Sequence, residues 1–369
     1  MSTLYIGVMS GTSLDGVDVV LADFSKGCRV LGHQALPLPE PLKNTLLALN
    51  QAGINELHLS ALAANALVKV YAQAIHMLLD KQALSPSLVS AVGSHGQTVR
   101  HQPGLYDGVG YTLQLNNPSL LAELCGIPVV ADFRSRDLAA GGQGAPLVPA
   151  FHQYLWGGVE DETTVILNLG GMANLTVLGK ANSVMGFDCG PGNVLLDLWC
   201  QRHLGKAFDA DGAWACSGKP SEALVESFLT DPFFALPPPK STGRDLFHAD
   251  WLDAHLQQFG SLAPEDVQAS LAHLSARSAA QAVHRFAPLA NRIFVCGGGA
   301  YNQHLMSLLG VYLPKATVSS TESHGLPPLQ VEAAAFAWLA KQTIEGLGGN
   351  LPHVTGAKGS RVLGGIYPA

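Results

Sequence analysis

Charge is scarce in this chain. Only 13 % of its 369 residues are Asp, Glu, Lys or Arg, and the 21 Lys and Arg form no dense run. With a formal net charge of −7, this argues against a nucleic-acid surface, which needs clustered cations to replace the counterions of a phosphate backbone. Paired cysteines are missing as well. Cys28, Cys125, Cys189, Cys200, Cys216 and Cys296 never form C-x-x-C, which disfavours zinc and thioredoxin-type chemistry. Most are expected to be reduced, small apolar fillers. No uninterrupted apolar stretch is long enough to span a bilayer. Met1-Ser2-Thr3 leads directly into a strand-like run, unlike a signal peptide. The expectation is a cytoplasmic protein with no membrane and no nucleic acid among its partners.

What is present is apolar surface. Residues of the AVILMFWYC set make up 47 % of the chain, enough at this length for two domains with full cores. Three segments share a grammar of strand, glycine turn and renewed apolar run. Tyr5 to Met9 enters Ser10-Gly11-Thr12-Ser13-Leu14-Asp15-Gly16 and leaves through Val17-Asp18-Val19-Val20. Thr163 to Leu169 meets Gly170-Gly171, and Met172 to Leu178 leads away. Arg292 to Cys296 ends in Gly297-Gly298-Gly299 ahead of a helix-like stretch. Glycine lets backbone N–H groups approach an anion. The hydroxyls of Ser10, Thr12 and Ser13 can donate to phosphate oxygens, whereas Asp15 and Asp18 would repel phosphate unless a cation or its water shell intervenes. Phosphate, magnesium and a tight hairpin are the first reading, with two lobes facing each other across a nucleotide.

Between these segments, apolar spacing of three and four predicts helices over 39–51, 56–84, 191–204, 264–286 and 331–344. Short strands are expected over 28–38, 89–97, 111–115 and 128–131. The 236–244 segment, rich in proline, reads as an irregular loop. Strands and helices mix without strict βαβ alternation, which is not the order of a dinucleotide-binding fold.

Several motifs together resemble the anhydro-N-acetylmuramic acid kinases. They are Met9 to Asp18, Gly93-Ser94-His95-Gly96-Gln97-Thr98, Asp132-Phe133-Arg134, Gly141 to Pro149, Asn168 to Asn174, Phe187-Asp188-Cys189-Gly190-Pro191-Gly192-Asn193 and Glu332-Ala333-Ala334. The resemblance covers nearly the whole chain. It implies an α/β, two-lobed actin/Hsp70/hexokinase-like (ribonuclease H-like) fold with the active site in the interlobe cleft. Lobe I is expected over 1–133 plus 345–369, and lobe II over 134–344. ATP and Mg2+ are implied as cofactors and 1,6-anhydro-N-acetylmuramic acid as the partner sugar; a homodimer is expected.

By the same resemblance, Gly11, Thr12, Ser13, Leu14, Asp15, Gly16, Val17 and Asp18 form a first phosphate loop. Asn168, Gly170, Gly171 and Asn174 form a second, and Gly297, Gly298 and Gly299 lie under the adenine or ribose. Asp15 and Asp18 contact magnesium, directly or through water. Glu332, Arg134, His95 and Gln97 contact the sugar, Arg134 through the lactyl carboxylate; a structural ion pair of Arg134 with Asp132 or Asp137 is the competing reading. Asp188 is the catalytic base. It is expected at the N-terminus of a helix, which would keep its carboxylate ionised at neutral pH. In a 1,6-anhydro sugar O6 is tied to C1, so the base would activate water for attack at C1 while the departing O6 takes the γ-phosphoryl group. The alternatives are a conventional hydroxyl kinase of the same fold, a nucleotide-switched protein of the actin/Hsp70 branch, and a glycosidase using Asp188 and Glu332.

Overall fold

β-branched and apolar runs separated by glycine turns build two sheets with one plan. The computed structural model describes residues 2–11, 14, 16–157 and 162–369. Its contacts divide the chain into a first unit, Met1–Leu155 with Gln330–Ala369, and a second, Trp156–Leu329.

In the first unit β1 (Leu4–Met9), β2 (Gly16–Asp23) and β3 (Arg29–Pro37) form an antiparallel meander. β4 (Ala91–Ser94) pairs parallel with β1; β5 (Gln97–Pro103) and β6 (Gly110–Leu115) make a separate hairpin; and β7 (Val129–Ala131) pairs parallel with β4. The order is β7-β4-β1-β2-β3, with the strand Gly365–Tyr367 added antiparallel outside β7. In the second unit β8 (Thr164–Leu169), β9 (Met172–Leu178) and β10 (Val184–Pro191) repeat the meander. β11 (Arg292–Cys296) and β12 (Thr317–Ser320) add in parallel, giving β10-β9-β8-β11-β12. The two sheets therefore share strand order and strand direction, the ribonuclease H-like arrangement expected.

The helix Val331–Ile344 belongs to the first unit, which moves the division away from residues 133/134 and 344/345. The physical reason is two bare positions in the sheet. A Cβ on Gly7 would lie 1.7 Å from the Ala333 carbonyl oxygen, and one on Gly93 would lie 2.0 Å from that of Phe336. The helix backbone rests directly on β1 and β4. Arg134 to Gly144 also stay with the first unit, where the buried Asp137 carboxylate is bonded by Asn350 and Thr355.

The opposite face of that sheet, carrying Ile6, Val8 and Val92, packs with Leu67, Tyr71, Ile75 and Leu78 of the helix Glu56–Lys81. This helix, which holds an 18-residue window with a mean hydropathy of 1.3, is long and apolar enough to cross a membrane by length and composition. No unbroken apolar run underlies that average: isolated polar residues interrupt the helix throughout. Ten of its residues are buried in the unit, as befits a core helix. In the second unit Pro264–Phe286 is the central helix, with Glu265 and Asp266 in its first turn and Arg285 in its last, in line with the macrodipole.

Candidate active site

Three polar residues of the second unit fall in one row. Asn168 on β8 pairs with Asn174 on β9, and Asn174 pairs with Asp188 on β10. Directly paired residues share a face of the sheet. Their chain neighbours Leu167, Leu169, Leu175, Phe187 and Cys189 are buried in the core, so the row faces away from it. Cys189 donates its thiol to the Ala173 carbonyl at 3.3 Å.

Asp188 is not at a helix N-terminus. The ladder to β9 continues to Pro191, with a bulge between Asp188 and Gly190, and the helix begins only at Val194 with Asn193 as its cap. Gly190 sits at φ +147, where a Cβ would come within 2.8 Å of the Phe234 ring. The carboxylate is instead held by a distant loop. Its Oδ2 accepts the Thr242 N–H at 2.9 Å, and the Asp188 N–H donates to the Lys240 carbonyl at 3.1 Å. Burial raises its pKa from 3.8 to about 6, against the opposing pull of the Thr242 N–H and the Lys240 charge. The expectation of a helix-stabilised acid is thereby corrected. The carboxyl is ionised at neutral pH by a narrow margin, which is where a general base works best. Lys240 is itself tethered, donating to the Phe233 carbonyl at 3.1 Å and lying 4.4 Å from that ring's centroid. Lys240 and Thr242 were missed from sequence. Locally the segment offers a lysine after three prolines, and nothing there says that the loop returns to Asp188.

The glycine turns divide into two kinds. Asn193 donates to the Leu169 and Gly170 carbonyls at 2.9 and 3.0 Å, and the Gly192 N–H donates to Gly171 at 2.9 Å, fixing the turn after β8. Within this fixed turn, a Cβ on Gly171 would meet nothing within 4 Å, and one on Gly170 would make only ordinary contacts, with the Met172 carbonyl at 3.5 Å and the Asn168 amide at 3.9 Å. Gly298 is similarly open, its nearest neighbour being 4.0 Å away. Packing does not demand glycine at these three positions. It does at Gly297, with φ +77 and a Cβ 2.4 Å from Asn168 Oδ1, and at Gly299, 2.5 Å from Leu169 Cβ.

In the first unit, Thr12, Ser13 and Asp15 lie outside the described residues. Ser10 is spent internally: its buried hydroxyl lies 2.7 Å from the Tyr71 hydroxyl. Leu14 and Val17 are buried in the core, so only their backbone can face a ligand. Gly16 lies under the Leu36 carbonyl, where a Cβ would come within 2.6 Å. The Gly11 carbonyl accepts from Leu14 N–H at 3.1 Å and Gln97 Nε2 at 3.2 Å. Asp18 Oδ1 is 2.8 Å from His33 Nε2. Among the described residues no cluster of three or more His, Cys, Asp or Glu is placed to hold a metal.

Arg134 makes neither of the ion pairs weighed for it. Its Nε and one Nη donate to His95 Nε2 at 3.1 and 2.9 Å, and the other Nη donates to the Gly144 carbonyl at 2.8 Å. Burial lowers its pKa to about 10, with Glu332 and Asp137 opposing through their charge. His95 and Gln97 are 4 % and 2 % exposed. Burial, and then the Arg134 charge, push the His95 pKa well below its usual value. Glu332, in the first turn of its helix, is pushed up by burial and by Asp18, while Arg134 pulls it down.

The anhydro-N-acetylmuramic acid kinase profile matches residues 3–369. A protein of Albidiferax ferrireducens bearing that name is 56 % identical over 390 residues, covering 100 % of both chains. One from Variovorax paradoxus is 55 % identical over 372 residues, covering 99 % of both. Among solved structures, a ROK family glucokinase from Streptomyces griseus in complex with glucose and AMPPNP aligns with a TM-score of 0.43 at 15 % identity, over 92 % of this chain and 99 % of that one.

Proposed function

We infer the reaction from one premise: this chain belongs to the anhydro-N-acetylmuramic acid kinase family. It phosphorylates 1,6-anhydro-N-acetylmuramic acid with ATP and serves cell-wall recycling. In the finer reading, Asp188 takes a proton from water as that water bonds to C1. The C1–O6 bond breaks, O6 bonds to the γ-phosphorus, and the bond from that phosphorus to ADP breaks. The products are N-acetylmuramic acid 6-phosphate and ADP.

The observation that carries this reading is the row Asp188–Asn174–Asn168 beside glycines that packing leaves open. A carboxyl whose pKa is raised to about 6 suits proton abstraction. Two neutral amides and bare backbone N–H groups suit phosphate oxygens without repelling them. We assign the adenosine phosphates to Asn168, Gly170, Gly171, Asn174 and Gly298, and the sugar to Glu332, His95 and Gln97. Magnesium fits a poor donor set of this kind, because it keeps most of its waters and binds through one or two carboxylates plus substrate phosphates. Asp18 would hold it through water, and the ion would supply charge neutralisation at the transferring group. Six free thiols and an ATP requirement suit a reducing, nucleotide-rich compartment, the cytoplasm. We expect a homodimer, which light scattering would measure.

The test is a coupled ADP assay across anhydro-muramic, anhydro-glucosamine and free amino sugars. Turnover with the anhydro-muramic sugar, and labelled water oxygen appearing at C1, are the expected results. Turnover only with free hydroxyl sugars would favour the conventional kinase. ADP release indifferent to sugar would favour a nucleotide switch.

A further inference from the structure

Within the first unit a relay of buried groups ends on one ring nitrogen. Asp137, 0 % exposed, accepts from Gly144 N–H at 2.7 Å, from Asn350 Nδ2 at 2.6 Å and from Thr355 Oγ1 at 2.7 Å. The same residue, Gly144, offers its carbonyl to Arg134 at 2.8 Å. Arg134 then directs two N–H groups at His95 Nε2. A guanidinium only donates, so His95 Nε2 must be the acceptor and carry no proton. The neutral imidazole then holds its proton on Nδ1, the less common tautomer of free histidine. The ring is packed further against Phe336, 4.6 Å away between centroids, and the residue's backbone N–H donates to the Val8 carbonyl at 3.1 Å.

His95 Nδ1 is buried and makes no hydrogen bond by distance and angle; the Gly96 backbone beside the ring exerts only the smallest of the three influences on its pKa, an upward one. Two acceptors are also unpartnered and buried, Gln97 Oε1 at the start of β5 and Asn116 Oδ1 just after β6. The other end of each amide is committed, Gln97 Nε2 to the Gly11 carbonyl and Asn116 Nδ2 to Ser94. An unpartnered buried N–H costs about 1–3 kcal/mol, and a histidine whose tautomer has been enforced by an arginine is an unusual place to leave one.

We propose that Arg134 is a positioning residue that does not itself grip the substrate carboxylate: it locks His95 in the Nδ1–H tautomer, so that this hydrogen is donated to an acceptor oxygen of the bound sugar. The proposal rests on the reading of this unit as the sugar-binding one. It replaces the lactyl-carboxylate role first considered for Arg134, since three of the guanidinium's N–H groups are taken by His95 and Gly144. Asp137 belongs to the same relay, holding the glycine residue whose carbonyl holds the arginine.

The experiment joins spectroscopy to a double-mutant cycle. With isotope-labelled histidine in the full-length protein, the His95 ring nitrogens should report a neutral Nδ1–H form, and the Nδ1 proton should shift downfield on adding 1,6-anhydro-N-acetylmuramic acid. An Nε2–H form, or a signal indifferent to the sugar, overturns the proposal without any variant. Asparagine carries an amide N–H near the place of Nδ1–H and has no tautomer to fix. His95→Asn should therefore retain sugar affinity better than His95→Gln. Arg134→Gln should raise the KM for sugar about tenfold or more in the wild-type background, the loss of one buried hydrogen bond, and much less in the His95→Asn background. The KM for ATP should stay unchanged. An equal penalty in both backgrounds would mean that Arg134 binds substrate directly, and the proposal would be wrong. Arg134→Lys keeps the charge but not the fork, and serves where the glutamine variant folds poorly. Wild-type protein that turned over no anhydro sugar would instead defeat the functional reading beneath.

Discussion

Replacing Asp188 by asparagine should abolish turnover and, above pH 6, make the protein more stable. Moving a carboxyl from its ordinary 3.8 to about 6 by burial penalises its ionised form in the folded state by about 3 kcal/mol. The sign follows from proton counting. Between those two values the folded chain holds a proton that the unfolded chain has released, so wild-type stability falls as pH rises through the window and then stays level. Below about pH 4 both states are protonated and the penalty vanishes. Asparagine pays no such penalty, and its amide oxygen can still accept the Thr242 N–H. The variant's advantage should be absent at pH 4, grow to pH 6 and plateau, reaching about 5–10 °C in the melting temperature. Differential scanning calorimetry of both proteins from pH 4 to 8 measures it. In wild type, log kcat should rise with unit slope below pH 6 and level above it, while the variant loses several orders of magnitude. A stability difference that does not change with pH would refute the argument, because the carboxyl would then titrate alike in folded and unfolded chains.

Gly171→Ala should leave the melting temperature unchanged, since its Cβ meets nothing within 4 Å, yet raise the KM for ATP about tenfold, as one lost backbone contact would; an unaltered KM would remove this turn from the phosphate site. Lys240→Met should move the pH midpoint of kcat upward, because the lysine charge lowers the Asp188 pKa; a downward move would contradict that attribution. Gly7→Ala should cost about 3 kcal/mol or more, because its Cβ would fall 1.7 Å from a helix carbonyl; denaturant unfolding would measure the loss.

Most strands, the glycine turns and the long helices were legible because each is written in local periodicity; β5, β10 and β12 were not expected. Pro264–Phe286 and Val331–Ile344 start and end where spacing and capping put them. Which unit the second of these belongs to was not legible, for it depends on Gly7 and Gly93, some 240 residues or more upstream, being bare beneath it. Asp188 was singled out by its motif, but its environment was misjudged. Proline and glycine after it read as a helix start, whereas the ladder to β9 outcompetes the helix as far as Pro191. The Lys240–Thr242 loop stayed invisible because it acts mainly through backbone groups, which any sequence could supply. The hydroxyl of Ser10 looked available and is not, since its partner Tyr71 arrives on a helix 61 positions later.

The seating of Val331–Ile344 on β1 and β4 sets an order of birth on the ribosome. The first sheet emerges early, but the helix that floors it and bears Glu332 is made only after the whole of Trp156–Leu329. The uninterrupted middle stretch can therefore mature ahead of the segment that precedes it. Until translation passes Ile344, the earlier sheet waits with one face bare, a natural foothold for a chaperone.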